Sequence, residues 1–140
     1  MTSAETVAFN ARVIEEFRAN EGKVERFRGK NLLLLTTIGR RSGLERISPL
    51  VYIHDGDRLV IAAALRGAPV NPVWYLNLVA NPEVTVETGQ RRFAARAEVV
   101  ADRAERDRLY AALGEHTDEF THYATKTDRV IPVVTLTPQE

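Results

Sequence analysis

Apolar positions in this chain repeat with two different periods, and each change of period marks a change from helix to strand. Between residues 4 and 19, Phe9, Val13, Ile14 and Phe17 recur at three- and four-residue intervals, with Arg12, Glu15, Glu16 and Arg18 between them. That spacing predicts a helix with one apolar stripe, and Gly22 is a natural stop. The charged stretch Gly22–Lys30 has no period and predicts an irregular connector. From Leu32 the pattern turns to strands. Leu32–Ile38 carries no charge at all, as suits a strand covered on both faces or lining a barrel. Ile47–Ile53 and Arg58–Leu65 follow, separated by His54-Asp55-Gly56-Asp57. Asp-Gly supplies the positive φ angles of a tight hairpin.

The second half continues in the same manner. Asn71-Pro72 opens a short helix to about Val79, with proline at a first helical position, and Asn81-Pro82 closes it. Val84 and Val86, then Phe93, Ala95, Ala97 and Val99, alternate with polar residues and predict a hairpin around Gly89-Gln90. Asp102–Leu113 reads as an amphipathic helix with Leu109, Tyr110 and Leu113 on one side. Residues 115–127, with Phe120 and Tyr123 among polar residues, are ambiguous between a broken helix and a loop, and their mixed pattern suggests a flap more than a packed helix. Ile131–Leu136 is the last predicted strand. Residues 1–140 therefore predict one α+β domain. It has about six mainly antiparallel strands and N-terminal, middle and C-terminal helices. So many strands in so short a chain favour a barrel, which hides its edges.

Composition narrows the function more than the fold. Nineteen basic and nineteen acidic residues cancel, at a pI near 6.9. Bulk attraction to nucleic acid is therefore not expected, and any anion site must be local. The absence of cysteine removes disulfides and thiol chemistry. No basic cap precedes an apolar core at the N-terminus, and no eighteen apolar residues run together, so a cytoplasmic protein without a transmembrane segment is expected. Weak membrane association, and either a monomer or a homodimer, are compatible with this composition. His116, Asp118, Glu119 and His122 lack the spacing of a metal site, and no metal is expected. Neither a Gly-x-Gly-x-x-Gly turn nor a Walker-type phosphate loop occurs, and no nucleophile elbow supports a hydrolase.

What remains is a turn rich in arginine. Gly39-Arg40-Arg41-Ser42-Gly43, with Arg46 three residues on, offers guanidinium forks, a hydroxyl and free backbone N–H groups to a phosphate or carboxylate. An exposed hairpin using arginine for solubility has the same composition. Trp74 can wall a flat ligand and Asn77 can meet its polar edge, although a large aromatic more often fills a core. The phenol of Tyr123 is a candidate proton donor.

Three stretches, LLLLTTIGRRSGLERISPLVY, NPVWYLNLVANPEVTVETG and YATKTDRVIPVVTL, together resemble the deazaflavin-dependent nitroreductase family of actinobacteria. The early EEFRANEGKV resembles that family's N-terminal helix and its exit, so the likeness runs from about Phe9 to Leu136. The resemblance implies a split β-barrel and an oxidoreductase that takes hydride from reduced coenzyme F420, with FMN less expected. The substrate would be a small quinone, activated alkene or nitroaromatic. A deazaflavin carrier without turnover is the alternative. Gly39, Arg40, Arg41, Ser42, Gly43 and Arg46 would hold the coenzyme's phosphate and anionic tail, followed by Pro49 in the next strand. The backbone of Ala63, Ala64, Leu65, Arg66, Gly67 and Ala68 would lie against the deazaflavin ring, with Trp74 and Asn77 fixing the helix beyond it. Tyr123 would border the substrate pocket.

The chain departs from the family pattern at several places. Ala64 stands where a serine is common, Arg66 where a glycine is common and Leu76 where a histidine is common, and Phe120 takes a tyrosine position. These changes point away from nitroimidazoles and toward quinones or enones. None of them touches the arginine turn.

Overall fold

The computed structural model describes residues 3–64, 70–89 and 91–139. In chain order the elements are α1 (Ser3–Ala19), a 3-10 turn (Glu25–Phe27), β1 (Leu32–Ile38), β2 (Glu45–Val51), β3 (Ile53–Asp55), β4 (Arg58–Ala62) and α2 (Val73–Ala80). β5 (Glu83–Thr88), β6 (Arg91–Val99), α3 (Arg103–His116), α4 (Asp118–Ala124) and β7 (Val133–Pro138) complete them. The seven strands form one antiparallel sheet in the order β2-β1-β5-β6-β7-β4-β3.

The predicted strand Ile47–Ile53 divides at Tyr52, whose N–H makes the last bond toward β1, donating to the Asn31 carbonyl at 3.0 Å, before β3 pairs with β4. β2 and β3 occupy opposite ends of the lateral order yet are consecutive in the chain. The sheet therefore curls until both its ends lie along one bent stretch, which is how this short chain limits its open edges. The result is the α+β split barrel that the sequence predicts, with one more strand because of the break.

Both faces of the sheet are covered, which explains the charge-free run in β1. Leu33 and Leu35 join Leu59, Ile61, Ala63, Val134 and Leu136 on the inner face, where α2 inserts Trp74 and Leu78. Leu32 and Leu34 point the other way and pack with Val13, Phe17 and Val24 of α1 and its exit. Val60, Ala62 and Val133 also face outward, beneath Leu109, Leu113 and Phe120 of α3 and α4. Strand residues two apart share a face, so one helix fills the barrel while the others clad it.

The remaining local expectations hold with small shifts. Gly56 has φ +62° in the β3–β4 turn, as Asp-Gly predicts. Asp102 caps α3 by accepting the Glu105 N–H at 2.9 Å, and the helix runs on to His116. Of the two readings of residues 115–127 the broken helix holds and the preferred flap is corrected: α3 ends at His116, and α4 follows Thr117 and buries Phe120 against α3. The Tyr110 hydroxyl donates to the Phe120 carbonyl, and the Phe120 ring meets those of Tyr110 and Tyr123 edge-on, with centroids 6.1 Å apart in each pair. One aromatic in a three-ring cluster was enough to settle a segment whose periodicity is mixed.

Candidate functional site

The turn between β1 and β2 is built to keep its polar groups facing outward. Gly39 N–H donates to the Leu44 carbonyl at 2.8 Å, and Gly43 N–H donates to the Gly39 carbonyl at 2.9 Å. Gly43 adopts φ +72°, a region that side chains disfavour. At Gly39 an added Cβ would lie 2.5 Å from Ser42 Oγ, so a larger residue there would displace that hydroxyl. Ser42 Oγ accepts the Leu44 N–H at 3.2 Å, which leaves its own proton available to donate outward. The N–H groups of Arg41 and Ser42 bond no acceptor among the described residues. Likewise, no described carboxylate lies within ion-pair distance of Arg40, Arg41 or Arg46. Three cations and two unpaired amides converge on one exposed turn, the donor set that an anionic tail requires.

Register decides which strand residues join this set. Thr37 stands opposite Arg46, Leu35 opposite Ser48 and Leu33 opposite Leu50, so Arg46 shares the inner face with α2. Pro49 stands opposite Leu34 on the outer face, under α1. The sheet thus separates the Pro49 side chain from the arginines.

Helix α2 links the turn to the opposite end of the site. Asn77, 1% exposed, accepts the Arg40 N–H through Oδ1 at 3.1 Å and donates through Nδ2 to Thr37 Oγ1 at 3.2 Å. Both ends of its amide are used inside the protein, so it fixes the turn and is not turned toward a ligand. Trp74, 8% exposed, packs in the inner core and meets Tyr75 edge-on, which is the core-filling role. The eight residues of α2 span about 12 Å at 1.5 Å per residue, enough to separate a ring from its phosphate.

At the start of α2, Ala63 and Ala64 are both buried. Ala63 N–H donates to the Pro132 carbonyl at 2.9 Å. Arg129 donates to the carbonyls of Ala63 at 2.9 Å and Ala64 at 3.2 Å, and to Asn71 Oδ1 at 2.8 Å. Burial holds this guanidinium below its ordinary pKa. Arg129 is the residue that sequence reasoning passed over, along with Asn71 and Thr37. The only signal was an arginine directly before the apolar run of β7. Leu65, Arg66, Gly67 and Ala68 lie outside the described residues. Tyr123 is half-buried against the cluster that contains Ala64, and its hydroxyl donates to Glu119 Oε2 at 3.4 Å.

A separate cleft of about 750 Å³ opens between the end of α1 and residues 22–32. Glu16, Glu21 and Glu25 line it beside Lys23, Arg28 and Lys30, so its charges cancel and it offers no field for an anion. None of the residues singled out in the sequence borders it.

A curled antiparallel sheet with a helix packed inside it and an exposed arginine turn at its rim defines the split-barrel class of proteins. One solved structure, described as an F420-H2-dependent reductase, is 33% identical with a TM-score of 0.69, and the match covers 76% of this chain and 93% of that one. Another, described as a domain-swapped dimer, is 29% identical with a TM-score of 0.71, over 96% and 99% of the two chains. An F420H(2)-dependent quinone reductase of Mycobacterium tuberculosis is 39% identical over 107 residues, which is 75% of this chain and 72% of that protein. The family model for F420H(2)-dependent quinone reductases matches residues 10–138. The chain belongs to that family, which makes it an oxidoreductase. Among the described residues, no helix is long and apolar enough to cross a membrane.

Proposed function

We propose that this chain binds reduced coenzyme F420 with its anionic tail on the Arg40–Arg46 turn and its ring toward Ala63, Ala64 and the start of α2, and that it reduces a small quinone. The observation that carries this reading is the open turn: three arginines without a described carboxylate partner around the unpaired N–H groups of Arg41 and Ser42. When bound, the coenzyme supplies a hydride equivalent. The chain's own residues bind, orient and exclude water. Arg40, Arg41, Arg46 and Ser42 hold the tail, and Asn77 keeps their turn in place. Buried Ala63, under Trp74 and Leu78, provides a dry apolar floor. Tyr123 borders the substrate side and can pass a proton to the reduced quinone once its hydroxyl turns from Glu119.

The domain-swapped relative supports a homodimer for this chain as well. Val73 and Val79 of α2 are 65% and 56% exposed, apolar surface of the kind that a second copy would cover. Sedimentation at micromolar concentration checks this, with a monomer as the contrary result.

The decisive experiment titrates the protein with coenzyme F420 and with FMN by fluorescence quenching, then adds menadione under anaerobic conditions. Preferential deazaflavin binding, with coenzyme oxidation well above the uncatalysed rate, is expected. Tight binding without turnover would make the protein a carrier, and equal or better FMN binding would overturn the cofactor assignment. Tyr123→Phe separates the two roles of that residue: lower turnover at unchanged affinity marks a proton donor, and parental turnover marks a wall.

A further inference from the structure

The connection between β4 and α2 leaves the sheet at Ala63 and Ala64 and re-enters the described chain at Val70 and Asn71. Arg129 stands between those two ends. Nη2 donates to the Ala63 carbonyl at 2.9 Å and to the Ala64 carbonyl at 3.2 Å, while Nη1 donates to Asn71 Oδ1 at 2.8 Å. A guanidinium is planar, and its N–H groups point in fixed directions, so bonding acceptors from both ends at once sets their separation. The brace is itself anchored. Arg129 N–H donates to Thr127 Oγ1 at 3.3 Å, and three residues later the Pro132 carbonyl accepts the Ala63 N–H at 2.9 Å. Ala63 is consequently gripped on both sides, its N–H by the lead-in to β7 and its carbonyl by Arg129. A cation taken partly out of water to hold backbone carbonyls is an expensive way to stiffen a loop, since burial disfavours the charged form. Ordinary packing would not require it.

We propose that Arg129 is a positioning residue: it fixes the distance between Ala63–Ala64 and Asn71, and thereby the end of the site against which the ring must lie flat. This rests on the ring placement proposed above. The tail end is held by an independent link, the Asn77 amide on the Arg40 N–H. Loosening Arg129 therefore disturbs the angle and approach of the reacting ring while leaving the arginine turn intact. Turnover and affinity separate, which a general weakening of the fold would not produce.

Three measurements on Arg129→Gln, Arg129→Lys and Asn71→Ala test this. Hydrogen exchange on the coenzyme-free protein reads the brace without any reaction: the Ala63 amide should exchange about tenfold faster or more in Arg129→Gln, with the β1, β5 and β6 amides unchanged. Fluorescence titration with coenzyme F420 should give a Kd within about threefold of the parent, because the tail contacts remain. Turnover of menadione should fall about tenfold or more, since a misplacement of about 1 Å at the reacting atoms is enough for such a loss. Arg129→Lys should not restore it, because one ammonium cannot span the acceptors.

A Kd that weakens in step with kcat, parental kcat in Arg129→Gln, or full rescue by lysine would each overturn the proposal. Should Arg129→Gln not fold, Asn71→Ala removes a single arm. The same pattern at smaller amplitude is then expected, and parental exchange together with parental kcat would overturn the brace. Failure of the parent to oxidise the coenzyme would count against the proposed function, while the exchange experiment still decides the role of Arg129.

Discussion

Two groups of arginines sit on this surface and behave in opposite ways. Around the β3–β4 hairpin, Arg58 bonds Asp55 at 2.6 Å and Glu105 at 3.4 Å, and Arg108 bonds Glu105 at 2.6 Å and Asp55 at 3.3 Å. These four charges answer one another, and the network ties the hairpin to α3. In the β1–β2 turn, Arg40, Arg41 and Arg46 meet no described carboxylate, and a buried asparagine holds the backbone beneath them. The residue type is the same; the neighbours differ. A saturated cluster spends its donors inside the protein, whereas an open one keeps them for a ligand. Arginine content alone therefore says nothing about anion binding until the acceptors nearby have been counted.

The strongest way to break this comparison is the double substitution Arg40→Ala/Arg41→Ala. Charge-assisted bonds contribute roughly 1.5–3 kcal/mol each, so the loss of two should weaken coenzyme F420 binding by about a hundredfold or more. Melting temperature should not change, because these side chains bond no other side chain among the described residues. Affinity equal to the parent's in a folded double variant would remove the turn from the site.

Asn77→Ala probes the same turn from below. It leaves the Arg40 N–H and Thr37 hydroxyl without their buried partner, a cost of about 1–3 kcal/mol. Stability should fall, and coenzyme affinity should drop about tenfold although every arginine remains. Destabilisation with parental affinity would mean that the turn holds its shape without the amide.

The converse change, Asp55→Asn/Glu105→Gln, frees Arg58 and Arg108. The stability change should be small, as for other solvent-exposed ion pairs. No deazaflavin binding should appear at the hairpin, because an open cation without unpaired backbone N–H groups is not a cradle. Titration of the Arg40→Ala/Arg41→Ala background carrying these changes measures this directly, and any regained affinity would refute the distinction.

The smallest effect is on acid stability. Arg58 holds the Asp55 carboxyl below its usual 3.8, and Arg108 does the same for Glu105 below 4.5. Groups with depressed folded-state pKa values lend stability above their unfolded values and lose it as pH falls through the folded ones. The melting temperature of the parent should therefore drop as pH passes below about 4.5 and on below 3.8, and Asp55→Asn/Glu105→Gln should flatten that slope. Parallel curves would show that the network carries no pH dependence.

Much of this could be read from the residues, for identifiable reasons. Asp-Gly at 55–56, Asn-Pro at 71–72 and the alternation along β6 are local signals, and local backbone preferences answered them. The arginine turn was legible because its glycines and cations are consecutive. Pro49 and Arg46 could not be told apart in sequence, because which face a strand residue takes depends on the partner's register. Asn77 looked like a ligand contact because an amide has the same chemistry whether it meets a coenzyme or the backbone of Arg40 across 37 positions. Arg129 was hidden for a similar reason: its acceptors lie 58 to 66 residues away, and carbonyl oxygens have no sequence signature. Residues 115–127 stayed ambiguous, with a flap wrongly preferred, because Phe120 is the lone buried member of α4, too few for a period to emerge.

The lateral order of the sheet also has a consequence for how the chain becomes a barrel. β2, β1, β5 and β6 form one section and β4 with β3 another, and β7 lies between them. β7 follows both sections in the chain, so during synthesis each must exist as a separate curved piece with an unpaired margin, at β6 and at β4. The last strand works as a zip, pairing Val134 with Val99 on one side and with Ile61 on the other. Its pairs with β4, such as Leu59 with Leu136, are the most distant in sequence of any in the sheet, so closure on that side is expected late in folding. Until then the proposed ring site at Ala63 and Ala64 lacks its partner strand. On that proposal, cofactor capture awaits the strand whose lead-in also carries Arg129.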